Sequence, residues 1–304
     1  MSKRSIVFLV LASALFALGF TNARANWHRH SVNVSGGPKA ENCSDLRMRF
    51  DDRDAVVRSE EHTLTRAEAP VLQVRPHENG GVQVTGWDKD TYSVTACKAA
   101  AGEGDAAERT LSEIKLTIEN GKVSTRGPAD EDEWTVYLLI RTPKSAAIDL
   151  ETTNGPISLY DVDGKLTAHA HNGPISLRNF SGDADIRAMN GPISLEGTSG
   201  SVRVHTENGP ISVALKGKTW SGKGLTADAQ NGPLTLFVPS DYESSFVVES
   251  RNYSPVSCEA SICGNARKTW DDEHRRIEYG SSPAVIHLST VNGPVSVEQL
   301  REKL

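Results

Sequence analysis

The chain has 304 residues, 38% of them hydrophobic, with 33 Lys and Arg against 39 Asp and Glu and a formal net charge of −6. That length can bury a sizeable core. A dispersed acidic balance argues against nucleic-acid binding and against electrostatic adsorption to anionic membranes.

The N-terminus reads as a secretory leader over residues 1–25. Lys3 and Arg4 precede an uncharged apolar run from Ile6 to Phe20, and Ala23-Arg24-Ala25 is a small-x-small cleavage site. The run is short for a membrane anchor, since a span needs ~20 residues. Loss of Lys3, Arg4 and Arg24 leaves 30 basic (33 − 3) against 39 acidic residues, a mature charge of about −9. The residue after the cleavage point is Asn26 and not a cysteine, which disfavours a lipoprotein. No later segment is long and apolar enough to be a transmembrane span.

Export makes the four cysteines interpretable. An even count in an oxidising compartment predicts two disulfides. Cys258 and Cys263 pair by proximity, and Cys43 with Cys97 by elimination. Zinc is disfavoured because the tight C-x-x-C hooks of a zinc ribbon are missing.

Residues 26–45 carry no regular pattern and are expected to be irregular. Residues 46–145 read as an irregular β cap or early coils. Val71 to Val74, then Asn79-Gly80-Gly81 and Val82-Gln83-Val84, is strand, turn, strand. Glu119-Asn120-Gly121-Lys122-Val123 repeats that shape. Ala99 to Glu113 reads as a loop or short helix, and Trp134 to Ile140 as an apolar strand ended at Thr142-Pro143.

From residue 146 to 298 the chain is periodic. Asn-Gly-Pro-Ile begins at Asn154, Asn172, Asn190 and Asn208, a step of 18 residues (172 − 154). Variants follow at Asn231 and Asn292, with a worn copy at Asn252. Within each repeat apolar and polar residues alternate, the mark of half-buried β-strands. The inward columns read Leu150, Ala168, Ile186, Val204, Ala227 before the corner and Ile157, Ile175, Ile193, Ile211, Leu234 after it. One repeat cannot bury its own apolar face, but stacked copies can. The fold class expected is therefore all-β, a parallel β-solenoid of about two strands per coil. Asn154, Asn172, Asn190, Asn208 and Asn231 are expected to stack as a side-chain ladder. Two insertions interrupt the period, near residues 216–224 and 258–287. Each carries a Trp among basic residues: Trp220 with Lys223, and Trp270 with Arg275 and Arg276. Insertions in solenoids often form the binding face.

The segment Asn79 to Trp87, the strand-to-proline segment Val136 to Pro143 and the repeats from Thr153-Asn154-Gly155 onward resemble the secreted bacterial "putative adhesin" family of β-strand-repeat proteins, a domain of unknown function. The likeness covers most of residues 70–298. It implies a β-solenoid-like repeat domain at or outside the cell envelope and no established enzyme activity. The strict Pro after Asn-Gly in the periodic repeats departs from the family's looser pattern.

Candidate chemistry is sparse. His169 and His171 share one outward strand face, with His205 two coils on, and a solvated polar face is the simpler reading. Asp161-x-Asp163-Gly164 lacks the further donors of a calcium loop. Asp183 and Asp185 could form a carboxylate pair of the glycosidase kind, but no further acid or basic cluster accompanies them. No catalytic set, metal site or cofactor motif is assembled. The outward column Ser158, Ser176, Ser194 and Ser212 would make a flat hydroxyl strip. The function expected is a non-enzymatic, exported binding or structural module of the periplasm, cell surface or exterior, with an envelope glycan or surface protein as partner. The alternative is a polysaccharide-cleaving enzyme on a β-helix, for which acids must converge in one groove.

Overall fold

The computed structural model describes residues 32–301, apart from residues 37–38, 130–132, 253, 272–273, 282 and 284. The expected leader and the Trp27-His28-Arg29-His30 stretch lie outside the described residues. The chain is all-β save for one α-helix, Gly104–Glu113, among the described residues. Twenty-one strands join in one mixed sheet, and three more, Val32–Gly36, Leu46–Phe50 and Arg53–Asp54, form a small separate sheet.

The repeat strands pair in two stacks. The first stack holds the strands before each corner. It runs through Leu72–Arg75, Ala147–Thr152, Lys165–Ala170, the later halves of Ile175–Asn190 and Ile193–Asn208, and Ser221–Asn231, all parallel. The second stack holds the strands after each corner: Gly81–Trp87, Ile157–Tyr160, the early halves of the two long strands, Ile211–Leu215 and Leu234–Val238, again parallel. Each residue lies beside its equivalent one repeat on, so Leu150, Ala168, Ile186 and Val204 are successive partners. Leu150, Ala168, Ile186, Ile157, Ile175 and Ile193 are all buried in one continuous core.

The corners explain the Asn-Gly-Pro-Ile sequence. A Cβ on Gly173, Gly191 or Gly209 would lie 2.1, 2.4 or 2.3 Å from the carbonyl oxygen of the preceding corner glycine, so only glycine lets the backbones stack this closely. The proline carbonyl accepts from the Ile amide of the preceding repeat, as in Ile157 N to Pro174 O at 2.9 Å, and its missing donor is not required there. The Asn side chains form a ladder, each Nδ2 donating to the previous Oδ1. Asn172 to Asn154 is 2.9 Å, Asn190 to Asn172 3.0 Å, Asn208 to Asn190 3.0 Å and Asn231 to Asn208 3.0 Å. The ladder begins at Asn79, which accepts from Asn154, and it is solvent-exposed rather than buried.

Three features depart from the sequence reading. First, spatial order is not chain order at the far end. Ile286–Asn292 lies between Ser221–Asn231 and Phe246–Arg251, so the ladder runs Asn231, Asn292, Asn252. Second, the sheet is not wholly parallel. Thr91–Ala100 lies antiparallel between Val56–Thr65 and Trp134–Pro143, and the segment read as an insertion over 258–287 builds an antiparallel hairpin, Arg267–Trp270 with His274–Tyr279, against Phe246–Arg251. Third, residues 26–45 are not simply irregular, because Val32–Gly36 is a strand. Part of residues 46–145, read as an irregular cap or early coils, extends the stacks: Leu72 and Val74 continue one inward column, Val82 and Val84 the other. Both disulfides are present, Cys43–Cys97 and Cys258–Cys263. Cys43–Cys97 ties the small sheet to the main one, where Met48 and Phe50 pack on Cys97, Tyr137 and Leu139 in a second core.

Candidate binding surfaces

Outward side chains of the second stack fall in rows because the strands are in register. One row reads Ser158, Ser176, Ser194, Ser212, Thr235, Ser296 and Ser257. With strands about 4.8 Å apart, these seven hydroxyls span roughly 29 Å. All seven side chains reach solvent to some degree. At its other end the row passes from Ser158 to Gln83, Leu139, Thr95 and Glu61. The neighbouring row there carries Thr85, Arg141 and Ser93.

At that end the small sheet folds over the face and encloses a cleft of about 310 Å³. Its roof is the segment Lys39 to Asn42. The buried Gln83 amide holds the roof at both its groups, donating to Ala40 O at 2.6 Å and accepting from Ala40 N at 3.0 Å. The Asp45 carboxylate accepts from the Glu41 and Asn42 amides at 2.8 and 2.9 Å, which holds its carboxyl below the ordinary range. Lys39 reaches Asp161 at 2.8 Å, and Asp161 also accepts from Asn179 at 2.8 Å. The floor and walls offer a different set of groups. Trp87 is half-buried, its indole N–H fixed on Thr91 O at 2.7 Å, and the Lys89 ammonium sits 4.8 Å from the ring centroid. Ser93 donates to Glu61 at 2.8 Å, and Arg141 donates to Glu41 O at 3.4 Å. An aromatic face, a carboxylate, a guanidinium and several hydroxyls thus converge in one pocket, whose buried Gln83 is the register partner of Ser158 at the end of the hydroxyl row.

The first stack has an open groove of about 590 Å³ on its outer side, lined by Glu151, His169, His171, Arg187, His205 and Glu207. Much of its charge is internally paired: Arg187 with Asp185 at 2.9 and 3.0 Å, His205 with Asp228, and Arg75 with Asp149 and Glu151 at 2.8 and 2.7 Å. Among the described residues no group of three or more His, Cys, Asp or Glu converges as a metal site. Asp183 and Asp185 face the same side but are each engaged: Asp183 accepts from Ser201 N at 3.1 Å and Asp185 pairs with Arg187.

The tryptophan insertions divide. Trp220 is 7% exposed, belongs to the core and donates from Nε1 to Gly200 O at 3.2 Å; it is a packing residue, which corrects the expectation of a surface role. Lys223 is exposed beside it. Trp270 is 52% exposed on the edge strand of the terminal hairpin, opposite Arg275 in register. Arg276 pairs with Glu249 and Glu278, so it is a strut of the hairpin rather than a free cation. Sequence reasoning missed the cleft. Trp87 stands in the segment that carries the family resemblance, but nothing periodic links it to Ser93, Glu61 or Arg141.

No protein-family model matches the sequence, and no curated protein matches it. Several solved structures resemble the fold. A putative cell adhesion protein from Clostridium sporogenes is 11% identical with a TM-score of 0.31, covering 81% of this chain and 100% of that one. A putative adhesin from Bacteroides fragilis is 11% identical with a TM-score of 0.40, covering 81% and 97%. A putative lipid binding protein from Parabacteroides distasonis is 9% identical with a TM-score of 0.29, again covering 81% and 97%. Likeness at this level carries no argument about function. Among the described residues no helix is long and apolar enough to cross a membrane.

Proposed function

We propose that the protein is an exported β-solenoid that recognises a cell-envelope glycan on the outer face of its second stack, without catalysing a reaction on it. The observation that carries this reading is the strand register that sets the Trp87 cleft, through Gln83, at the end of the hydroxyl row from Ser158 to Ser257. A sugar ring has an apolar C–H face that packs on an aromatic ring and a rim of hydroxyls that exchange hydrogen bonds. Trp87 offers the first contact; Glu61, Ser93, Thr95 and Arg141 offer the second. Beyond the cleft, hydroxyls recur at each strand, a spacing comparable with the advance of one hexose along an extended chain. A protein partner is the weaker reading. Protein interfaces centre on aromatic and aliphatic anchors, whereas the exposed large apolar side chains among the described residues, Val71, Met189 and Trp270, lie away from this face. Export is supported by the two disulfides, which persist in oxidising compartments.

The test is co-sedimentation of the mature chain with envelope fractions and insoluble polysaccharides, with released sugar assayed in the same tubes. Binding without release is expected. Trp87→Ala should weaken it by roughly tenfold or more, on the order of 1–2 kcal/mol, while Trp270→Ala leaves it unchanged. Release of sugar would sink the non-enzymatic reading. Equal binding by Trp87→Ala would remove the cleft.

A further inference from the structure

The stack requires glycine at each corner for close backbone approach and asparagine for the side-chain ladder. The combination is chemically hazardous. Asn-Gly is the dipeptide most prone to spontaneous deamidation, because no side chain shields the nitrogen that attacks. The sequence contains eight Asn-Gly pairs, at Asn79, Asn120, Asn154, Asn172, Asn190, Asn208, Asn231 and Asn292. In the reaction the glycine backbone nitrogen attacks the Asn Cγ and the side-chain nitrogen leaves as ammonia. Water then opens the cyclic imide to aspartate or isoaspartate.

Seven of the eight pairs belong to the ladder, and there the reacting groups are held apart from this task. The Asn190 amide donates to Asn172 at 3.0 Å and accepts from Asn208 at 3.0 Å. The attacking nitrogens of Gly191, Gly209 and Gly232 are themselves committed, donating to the carbonyls of Asn208, Asn231 and Asn292 at 3.1, 3.0 and 3.0 Å. Ring closure has to break these bonds and swing the side chain out of the stack. At the start of the ladder Gly80 N is bonded to His77 O at 2.7 Å. At the far end the outermost Asn252 is followed by Tyr253, so the unstacked end carries no Asn-Gly pair.

Asn120 differs. It sits with Gly121 in the two-residue turn between Lys115–Glu119 and Lys122–Arg126, both with positive φ (49° and 76°). It is exposed, and its side-chain amide makes no hydrogen bond among the described residues. We propose that Asn120 is the protein's site of spontaneous deamidation and that the ladder shields the Asn-Gly pairs stacked within it.

The experiment incubates the folded mature chain in warm, mildly alkaline buffer and follows each Asn by peptide mass mapping, with the reduced, denatured chain as reference. Asn120 should convert at least about tenfold faster than Asn172, Asn190 or Asn208 in the folded protein, the ratio equivalent to roughly one hydrogen bond's opening free energy. The denatured chain should level them. Asn208→Ser, which removes the amide donor to Asn190 while keeping a polar side chain, should speed conversion at Asn190. Equal rates at Asn120 and the central ladder in the folded chain would overturn the shielding. A silent Asn120 that converts when denatured would show that the turn protects it and overturn the site.

Discussion

Asn190 shows how one side chain serves the whole stack. Its amide makes two ladder hydrogen bonds, but in an exposed position where water competes. Asn190→Ala should therefore cost about 1 kcal/mol. Asn79→Ala, which loses the single bond at the ladder's start, should cost less. Denaturant midpoints of the two variants check this, and equal effects would contradict the ladder as a stabilising device. Trp220 is the opposite case. Buried in the core and hydrogen-bonded to Gly200 O, its replacement by Ala should cost about 3–5 kcal/mol. A well-folded Trp220→Ala with an unchanged midpoint would return it to the surface. The sequence placed Trp220 among Lys216, Lys218 and Lys223, a polar setting that hides burial. A short insertion can fold its one large ring inward while its lysines face solvent, and no period reports that.

At the scale of elements, the segment Lys39 to Asn42, between the first two strands of the small N-terminal sheet, roofs the cleft, and two linkages hold that sheet. The Cys43–Cys97 bridge closes 54 residues and the Cys258–Cys263 bridge only 5. On chain entropy, removing the first should cost about 4 kcal/mol and the second about 2. Cys43→Ser with Cys97→Ser should also abolish glycan binding, whereas removing the second bridge should spare it; the reverse pattern would contradict the roof's role. The second linkage is Tyr137, packed under the small sheet with Phe50 and Met48. Burial pushes its phenol up to about 12 from an ordinary 10.0. A raised folded value means that stability is unaffected below about pH 10 and is lost as pH rises toward 12. Absorbance titration of the phenolate alongside a stability profile should show the two moving together, and Tyr137→Phe should flatten the fall. The core packing of these elements was partly legible. Alternation gave the inward columns from Leu150 to Leu234, because burial repeats with the period. The Glu61, Thr95, Leu139 and Gln83 row was not legible, since it depends on antiparallel register between strands with no common repeat.

At the scale of the whole molecule, the chain does not close in the order it is written. Residues 221–231 and 246–251 leave a slot one strand wide, and Ile286–Asn292 fills it. Long-range pairing of this kind is slow to form. Pulse-labelled hydrogen exchange during refolding should show the Ile286–Asn292 amides protected after those of Ile175–Asn190; simultaneous protection would contradict a final insertion. Asn292 and Asn252, read from the sequence as a variant and a worn copy of the repeat, join the ladder in exchanged order, which a linear period cannot encode. Chemical-shift mapping of the mature chain against envelope-derived oligosaccharides tests recognition on the outer face of the second stack. The proposal predicts perturbed amides at Thr85, Trp87 and Ser93 and along Ser158, Ser176 and Ser194. Shifts confined to the His169, Arg187 and His205 groove, or no shifts on the second stack under saturating ligand, would contradict it.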